Sequence, residues 1–376
     1  MKKILALILT IAMAAAMMTG CTGTTVVIGE CTCPCVTEEP TVAPETTPAP
    51  EEAPEAAPET EAAPEAVSGA LKTGLAVSTN IADTVSATAE AEGEAKYDVT
   101  VAAVTVDDNG VIQSCIIDSI PASVKFDATG SITSDVNAAV LTKNEMGADY
   151  GMVAWGGAIA EWDAQVKAVA DYAVGKTVEE LKNGDIDMVT GKAKDGSDLS
   201  SSATIYLAGY IYAIEAAVNN AQHLGAQAGD ELVLVTDNAI SDSTSADAEN
   251  AGLAQLYSTF AVVTKNSGKI TSCYIDSVQA KVNFDATGTI TTDLSAPVAT
   301  KNELGASYGM AKVSSIGAEW NEQAASFAKY ITGMTADEVA GIAITETTKP
   351  ADGSDLASSV TISIGGFQGL IAKAMQ

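Results

Sequence analysis

Two hydroxyl-rich stretches hold the residues of this chain that are best suited to chemistry. They read Asp198-Leu-Ser-Ser-Ser-Ala-Thr204 and Asp355-Leu-Ala-Ser-Ser-Val-Thr361, and each follows the triplet Asp-Gly-Ser. The apolar residues that come next, from Ile205 and from Ile362, predict the start of a helix. A Ser or Thr oxygen there can accept hydrogen bonds from the first helical turn, as a simple N-cap. The same free N–H groups, with the helix dipole, can instead bind a phosphate group.

The spacing within these stretches resembles the acceptor motif of the FMN-binding domain family. The resemblance implies that an FAD:protein FMN transferase joins FMN through a phosphoester to Thr204 and to Thr361, which gives two covalent FMN groups per chain. It also implies that Asp198 and Asp355 are the acids that the transferase needs. The other motif positions carried over as cofactor-binding are Ser201, Ser202, Ala203, Ser358, Ser359 and Val360.

Three residues depart from the commonest family pattern. Ser202 and Ser359 stand where Gly is frequent, and Val360 stands where Ala is usual. On the residues alone, a capped helix without any cofactor is the alternative interpretation of both stretches.

A long internal repeat surrounds the two motifs. The segment Cys115-Ile-Ile-Asp-Ser119 returns as Cys273-Tyr-Ile-Asp-Ser277, a shift of 158 residues, and other segments return at the same shift. Self-similarity at a fixed distance indicates repeated structural units. We therefore predict two tandem FMN-binding-like domains, 70–226 and 227–376, each large enough to hold its own core.

Within each copy, strand signals precede helix signals. Residues 97–105 and 111–120 alternate apolar and polar positions, and Asn109-Gly110 between them is a strong hairpin signal. Apolar residues then recur at steps of three and four over 159–173, which predicts one helix face. Thr177-Val-Glu-Glu180 predicts a capping box at the start of a further helix. This order favours an α+β fold in which each repeat is an antiparallel sheet with helices.

Other repeated residues are candidates to contact a flavin ring. They are Lys143-Asn144-Glu145 with Tyr150-Gly151-Met152, and Lys301-Asn302-Glu303 with Tyr308-Gly309-Met310. The Lys could stabilise negative charge on a reduced flavin, and Tyr or Met could pack on its face. The alternative is that Tyr and Met fill the core and that the Lys is solvated.

Two further pairs of repeated residues are expected to be structural. Trp162 and Trp320 lie on the apolar face of a predicted helix, which favours core packing over stacking on a ligand. Cys115 and Cys273 lie in predicted strands, where we expect small buried residues and not nucleophiles.

The N-terminal residues predict export and lipid anchoring. Residues 1–20 combine two Lys with an apolar run and small residues, as in a secretion signal. Cys21 follows directly and resembles the Cys of a bacterial lipobox, which implies diacylation and insertion into the lipid bilayer. Residues 21–69, largely Pro, Glu, Ala and Thr, predict a disordered tether that holds the folded part away from the membrane. The thiols for which we find no role are Cys31, Cys33 and Cys35.

Charge and composition exclude several classes of function. The formal net charge of −30 should repel nucleic acid, and it also disfavours loose binding of free FMN, a problem that a covalent bond would remove. The chain's single His, His223, lies in the inter-domain region and does not recur in the second copy, so a duplicated Ser-His-Asp arrangement is impossible. We find no metal-ligand spacing in the sequence.

Both repeats and the tether together resemble the two-domain flavin lipoproteins of Gram-positive extracellular electron transfer. The resemblance implies an electron carrier on the outer face of the cell membrane, reduced by a membrane electron donor and oxidised by an extracellular electron acceptor. Such a carrier is not an enzyme with its own substrate. The alternative is a surface lipoprotein without flavin that binds a solute or adheres to a partner; a flavin-dependent reductase is a third, weaker possibility.

Overall fold

Two long β-hairpins lie at the centre of the computed structural model, which describes residues 69–376. The strands are β1 (Lys72–Asn80), β2 (Gly93–Val106), β3 (Ile112–Phe126), β4 (Ile186–Asp187), β5 (Lys192–Ala193), β6 (Glu231–Ala239), β7 (Gly252–Asn266) and β8 (Lys269–Phe284). The hairpin predicted at Asn109-Gly110 is confirmed between β2 and β3, and a second turn joins β7 to β8. Gly110, Ser267 and Gly268 all have positive φ, as tight hairpin turns require.

Each hairpin gains a third strand and becomes an antiparallel sheet. The strand orders are β1-β2-β3 and β6-β7-β8, and a small antiparallel pair, β4-β5, lies apart from both. The third strands, β1 and β6, were not predicted, because their sequences alternate only weakly. The structure confirms the mixed helix and strand architecture with antiparallel sheets that the sequence favours.

Helices follow each sheet along the chain. They are α1 (Lys143–Met146), α2 (Met152–Gly156), α3 (Trp162–Ala173), α4 (Val178–Asn183), α5 (Ala208–Asn219), α6 (Lys301–Leu304), α7 (Trp320–Ile331), α8 (Ala336–Ala340) and α9 (Gly365–Ala374). The capping box predicted at Thr177 and Glu180 is confirmed at the start of α4. On α3 the predicted apolar face is buried, but Ile159 lies before the helix and is exposed, so that part of the prediction is wrong.

The two faces of each sheet have different partners. One face of the first sheet packs against α3 and α5, and the matching face of the second sheet packs against α7 and α9. The opposite faces of the two sheets contribute to one apolar cluster, in which the rings of Phe126 and Phe284 stack with centroids 4.1 Å apart. Residues 69–376 therefore lie in one compact unit with a core shared across the boundary at residues 226 and 227.

The N-terminal predictions concern a part of the chain that the structure does not describe. The signal segment, the lipid attachment at Cys21, the tether up to residue 68 and the thiols of Cys31, Cys33 and Cys35 all lie outside residues 69–376. Across residues 69–376, none of the helices combines the length and the apolar character needed to span a bilayer.

Candidate functional site

The first motif folds into a short 3-10 helix, Asp198–Ser201, that is anchored to the core by buried side chains. Leu199 and Ala203 are buried in the core between the first sheet and its helices, and the backbone N–H of Ala203 donates to the carbonyl of Leu199 at 2.9 Å. This turn leaves Asp198 and Thr204 exposed on the outer side. The small apolar residue before the Thr thus anchors the motif, while the acid and the hydroxyl stay accessible to another protein.

The second motif has the same arrangement, with a larger buried residue, Val360, directly before its threonine. Leu356 and Val360 are buried, and the N–H of Val360 donates to the carbonyl of Leu356 at 2.9 Å. Asp355 is exposed, whereas Thr361 is half-buried. Val360, which departs from the Ala of the family pattern, fits here because its side chain points into the core.

The prediction that a helix begins directly after each motif is wrong. Helix α5 begins at Ala208 and not at Ile205, and α9 likewise begins three residues after Ile362. The delay has a tertiary cause, since the N–H of Leu207 donates to the carbonyl of Gly191 at 2.6 Å and holds the segment out of the helix. Neither Thr is therefore an N-cap, and the capped-helix interpretation of the motifs does not hold.

The motif serines stabilise the turn itself. The hydroxyl of Ser201 donates to the carbonyl of Asp198 at 2.8 Å, and that of Ser358 donates to the carbonyl of Asp355 at 2.7 Å. Ser202 and Ser359 make longer bonds of the same kind, at 3.5 and 3.3 Å. Such local bonds compete with helix formation and favour turns.

A buried glutamine holds each motif threonine. The Oε1 of Gln165 accepts from the backbone N–H of Thr204 at 2.8 Å and from its hydroxyl at 3.2 Å. Gln323 does the same for Thr361, at 2.8 and 3.1 Å. Both glutamines are fully buried on α3 and α7. Neither glutamine was predicted from the sequence, although the pattern Glu-Trp-x-x-Gln occurs in both copies.

The opposite end of each glutamine amide is also bound. The Nε2 of Gln165 donates to the carbonyl of Ala160 at 2.8 Å, and that of Gln323 donates to the carbonyl of Ala318 at 2.9 Å. With both ends fixed, the amide cannot flip, and it turns its oxygen toward the threonine. The hydroxyl hydrogen then points at the glutamine, so the oxygen lone pairs face away from it.

A cleft of about 720 Å³ opens beside the first motif. Its walls include the two residues that follow Thr204, namely Ile205 and Tyr206. Aromatic and sulfur-bearing side chains make up much of the rest, namely Tyr150, Met152, Trp162, Tyr210 and Tyr212. The volume is within the range of small-molecule sites, and a wall rich in rings suits a planar ligand.

The structure places the ring-contact candidates in different surroundings. Lys143, Tyr150 and Met152 line the cleft, and Trp162, expected only in the core, is buried and lines it as well. Gly151 is not among the lining residues, and neither is Asn144, whose side chain donates to the carbonyl of a strand residue at 2.9 Å. The remaining candidate of this copy, Glu145, closes a capping box with Thr142.

The lysines of both copies are buried, contrary to the solvated alternative. The Nζ of Lys143 lies 5.1 Å from the ring centroids of both Tyr150 and Trp162. The Nζ of Lys301 lies 5.0 Å from the centroid of Tyr308 and 4.7 Å from that of Trp320. An ammonium over aromatic faces is stabilised by the ring quadrupoles, more so where water is excluded.

Buried aspartates position the helices that carry these lysines. The Oδ1 of Asp118 accepts from the backbone N–H of Asn144 at 3.1 Å, and Asp276 accepts from that of Asn302 at the same distance. Burial raises the pKa of Asp118, and it raises the pKa of Asp276 to about 6. Each aspartate belongs to the repeated strand segment that begins with a Cys, which explains why that segment recurs with the lysine.

The second copy brings together a similar set with fewer phenols. Lys301, Tyr308, Met310 and Trp320 belong to the same kind of arrangement, and Trp320 meets the ring of Phe367 edge-on with centroids 6.0 Å apart. Counted from the motif threonine, Ser363 and Phe367 take the places of Tyr206 and Tyr210. The aromatic cleft and the exposed threonine hydroxyl at the first motif fit an aromatic, phosphate-linked group such as FMN, and the second motif has the matching Lys, Tyr, Met and Trp.

Two further grooves lie between a long strand and the helix that packs on it, one between β3 and α3 and one between β8 and α7. The groove beside Cys115 has a volume of about 350 Å³, and the one beside Cys273 has about 900 Å³ and is also lined by Gln222 and His223. Cys273 is buried as expected, whereas Cys115 is half-buried, so the expectation of burial is only partly met there. Burial raises the pKa of both thiols to about 12, which keeps them protonated and poorly nucleophilic.

Comparisons of the chain with protein-family models, with curated proteins and with solved structures gave no match.

Proposed function

We propose that this protein is an extracellular, membrane-anchored flavoprotein that carries one covalent FMN on Thr204 and another on Thr361 and acts as an electron carrier. The observation that supports this best is the aromatic cleft that opens directly beside Thr204 and contains the buried Lys143. The proposal includes two tandem FMN-binding-like domains, 70–226 and 227–376, and a lipid anchor at Cys21.

The chain's own residues suit the attachment reaction. The hydroxyl oxygen of the threonine would bond to the FMN phosphorus of FAD, while the pyrophosphate bond of FAD breaks and AMP leaves. The glutamine fixes the direction of the hydroxyl, and the turn keeps the motif Asp exposed for the transferase. The hydroxyl proton must pass to a base of the transferase, since an amide oxygen is not basic enough to take it.

A bound flavin would supply the electron chemistry, and the chain would hold and tune it. Tyr150, Met152 and Trp162 offer apolar and aromatic surface for packing against a planar ring. The ammonium of Lys143, held among these rings, would stabilise negative charge on a reduced flavin. Such a carrier needs no substrate site of its own.

The partners of this function follow from the chemistry. They are an FAD:protein FMN transferase for attachment, a membrane electron donor, an extracellular electron acceptor and the lipid bilayer through Cys21. A tether of Pro and Glu between anchor and sheet unit would let the carrier move between donor and acceptor. The net charge of −30 disfavours nucleic acid as a partner.

Intact-mass measurement tests the proposal directly. The protein is expressed together with the transferase, unfolded in acid and weighed, and we expect two FMN additions that fluoresce with the unfolded chain. Thr204→Ala and Thr361→Ala should each remove one addition, and the double variant should remove both.

Matched variants separate attachment from damage to the fold. Thr204→Ser keeps a hydroxyl and should retain the addition, and Thr190→Ala, at an exposed position outside the motif, should retain both. An unmodified mass for the wild-type chain in the presence of active transferase would rule the proposal out.

The solute-binding alternative has one observation in its favour. The groove beside Cys273, at about 900 Å³, is larger than the cleft beside Thr204 and carries polar groups such as Asn302 and Asn321. A colourless protein of unmodified mass would favour solute binding in this groove.

A further inference from the structure

The two candidate sites share a lysine in matched surroundings. Lys143 and Lys301 each lie over a Tyr ring and a Trp ring at similar distances. Glu161 and Glu319 also match, since each accepts a backbone hydrogen bond of 2.8 Å from the segment that follows the cleft tyrosine. These groups contribute alike to both sites and cannot make them differ.

The nearest polar partner of the lysine is different in the two sites. The Nζ of Lys143 lies 4.0 Å from a carboxylate oxygen of Asp98 on β2. The Nζ of Lys301 instead lies 2.9 Å from the phenol oxygen of Tyr257 on β7. Burial raises the pKa of Tyr257, but the ammonium of Lys301 and the hydroxyls of Ser277 and Thr259 together bring it below its ordinary value. One lysine thus has a negative partner and the other a neutral one.

A second difference comes from residues contributed across the shared core. Glu303, from α6 in the second half of the chain, lines the cleft of the first site. Conversely, Glu145 of α1 in the first half forms an ion pair with Lys373 of α9 in the second half, and Lys373 also donates to the carbonyl of Thr236 at 3.2 Å. Lys373 lies twelve residues after its motif threonine, the position that Ala216 holds in the cleft of the first site.

One difference between the copies instead adds negative charge to the second site. In the register of the second sheet, Asp237 of β6 lies opposite Thr259 of β7. Ser78, a lining residue of the first cleft, lies opposite Thr100 of β2 in the first sheet, so Asp237 and Ser78 hold matching positions. The second site therefore gains a carboxylate at this position. The first site has Lys143 against Asp98 and Glu303. The positions of the second copy that match the first site and its neighbours hold Lys301 and Lys373 against Glu145 and Asp237.

We propose that the first site holds its flavin at a lower reduction potential than the second, because the first has an excess of one carboxylate and the second has equal numbers of cations and carboxylates. Reduction adds negative charge to a flavin, and nearby carboxylates oppose that charge. The inference rests on the proposed function. Electrons lost by a reduced flavin in the first site would be gained by an oxidised flavin in the second, with protons exchanged with solvent, so transfer within the chain has a direction.

Single-flavin proteins allow each potential to be measured. Thr361→Ala leaves only the first site and Thr204→Ala only the second, and intact mass verifies one FMN in each. Spectroelectrochemical titration should give a more positive midpoint for the second site. In the Thr361→Ala background, Asp98→Asn and Glu303→Gln should each raise the midpoint, whereas Glu90→Gln, an exposed change of equal charge away from the cleft residues, should not.

A reciprocal substitution in the second site and a measurement of both midpoints at increasing salt concentration complete the test. Tyr257→Asp in the Thr204→Ala background should lower the midpoint of the second site, and the gap between the sites should narrow as salt screens the exposed carboxylates. Equal or reversed midpoints in proteins that each carry one FMN would overturn this inference and leave the proposed function standing. Absence of any FMN addition would overturn both.

Discussion

The side-chain oxygen of Gln165 lies 2.8 Å from the backbone nitrogen of Thr204 and 3.2 Å from its hydroxyl oxygen, and this one atom sets the direction of the motif threonine. The amide is buried on α3 and reaches the motif across thirty-nine residues of sequence. The same relationship between Gln323 and Thr361 indicates that both hydroxyls are held in one defined orientation before any transferase arrives.

Replacement of the glutamine should slow attachment at its own site only. Without the amide oxygen the hydroxyl of Thr204 rotates freely, and loss of a hydrogen bond worth about 1 kcal/mol corresponds to attachment slower by about fivefold. We expect Gln165→Leu to show this at Thr204 while Thr361 is modified at the wild-type rate. A time course of intact mass measures both, and Gln323→Leu should give the mirror result. Equal slowing at both threonines would indicate general unfolding instead.

The buried lysine should tune a flavin without being needed for its attachment. Lys143→Met removes the ammonium but keeps a long apolar side chain among the rings of Tyr150 and Trp162. In the Thr361→Ala background, the FMN mass should remain while the midpoint potential falls, since the reduced flavin loses a stabilising charge. Lys143→Arg should retain most of the wild-type potential. An unchanged midpoint in Lys143→Met would show that the ammonium does not reach the flavin.

The elements that were predicted correctly depend on local signals. Asn109-Gly110 between alternating residues specifies a hairpin within a few residues of chain, and Thr177 with Glu180 specifies a helix start within one turn. The helix expected at Ile205 begins later because the N–H of Leu207 is bound by a carbonyl sixteen residues away, that of Gly191. No propensity within the segment contains that information.

The candidate site was predictable in its residue types but not in its assembly. The repeated Lys, Tyr and Met segments indicate a site because they recur together, and the structure brings Lys143, Tyr150 and Met152 into one cleft. The contribution of Glu303 from the other half could not be inferred, since nothing in the sequence states that the two sheets share a core. Tertiary packing alone decides such contacts.

The second threonine should be modified more slowly than the first because another hydroxyl competes for it. The oxygens of Ser314 and Thr361 lie 3.3 Å apart, and Ser314 also accepts from Gln323 at 3.3 Å. The first copy has Gly156 at the matching position. In the Thr204→Ala background, Ser314→Gly should speed attachment at Thr361 by roughly two- to threefold, the low end for a long hydrogen bond. Gly156→Ser in the first copy should slow attachment at Thr204, and a reversed order of rates would contradict this account.

The buried carboxyl of Asp276 should make stability fall as pH rises. Burial raises its pKa from 3.8 to about 6, so the folded protein holds this proton more tightly than the unfolded chain does. Its contribution to stability is complete below pH 4 and is lost as pH rises through about 6. Asp276→Asn, which keeps an oxygen for the N–H groups of Ser277 and Asn302, should therefore be the more stable protein at pH 7, by roughly 1–3 kcal/mol. Urea unfolding at pH 4 and pH 7 measures the difference, which should shrink at the lower pH.

The shared core predicts that both halves unfold together. Phe126 and Phe284 are fully buried and stack with a centroid distance of 4.1 Å, so a cavity on one side removes contacts from the other. Phe126→Ala should cost about 3–5 kcal/mol. Hydrogen–deuterium exchange resolved by peptide should show equal loss of protection in β3 and β8, while Val189→Ala, at an almost fully exposed side chain, leaves both unchanged. If only β3 lost protection, the two halves would be energetically independent, and each could then be expected to carry its flavin alone.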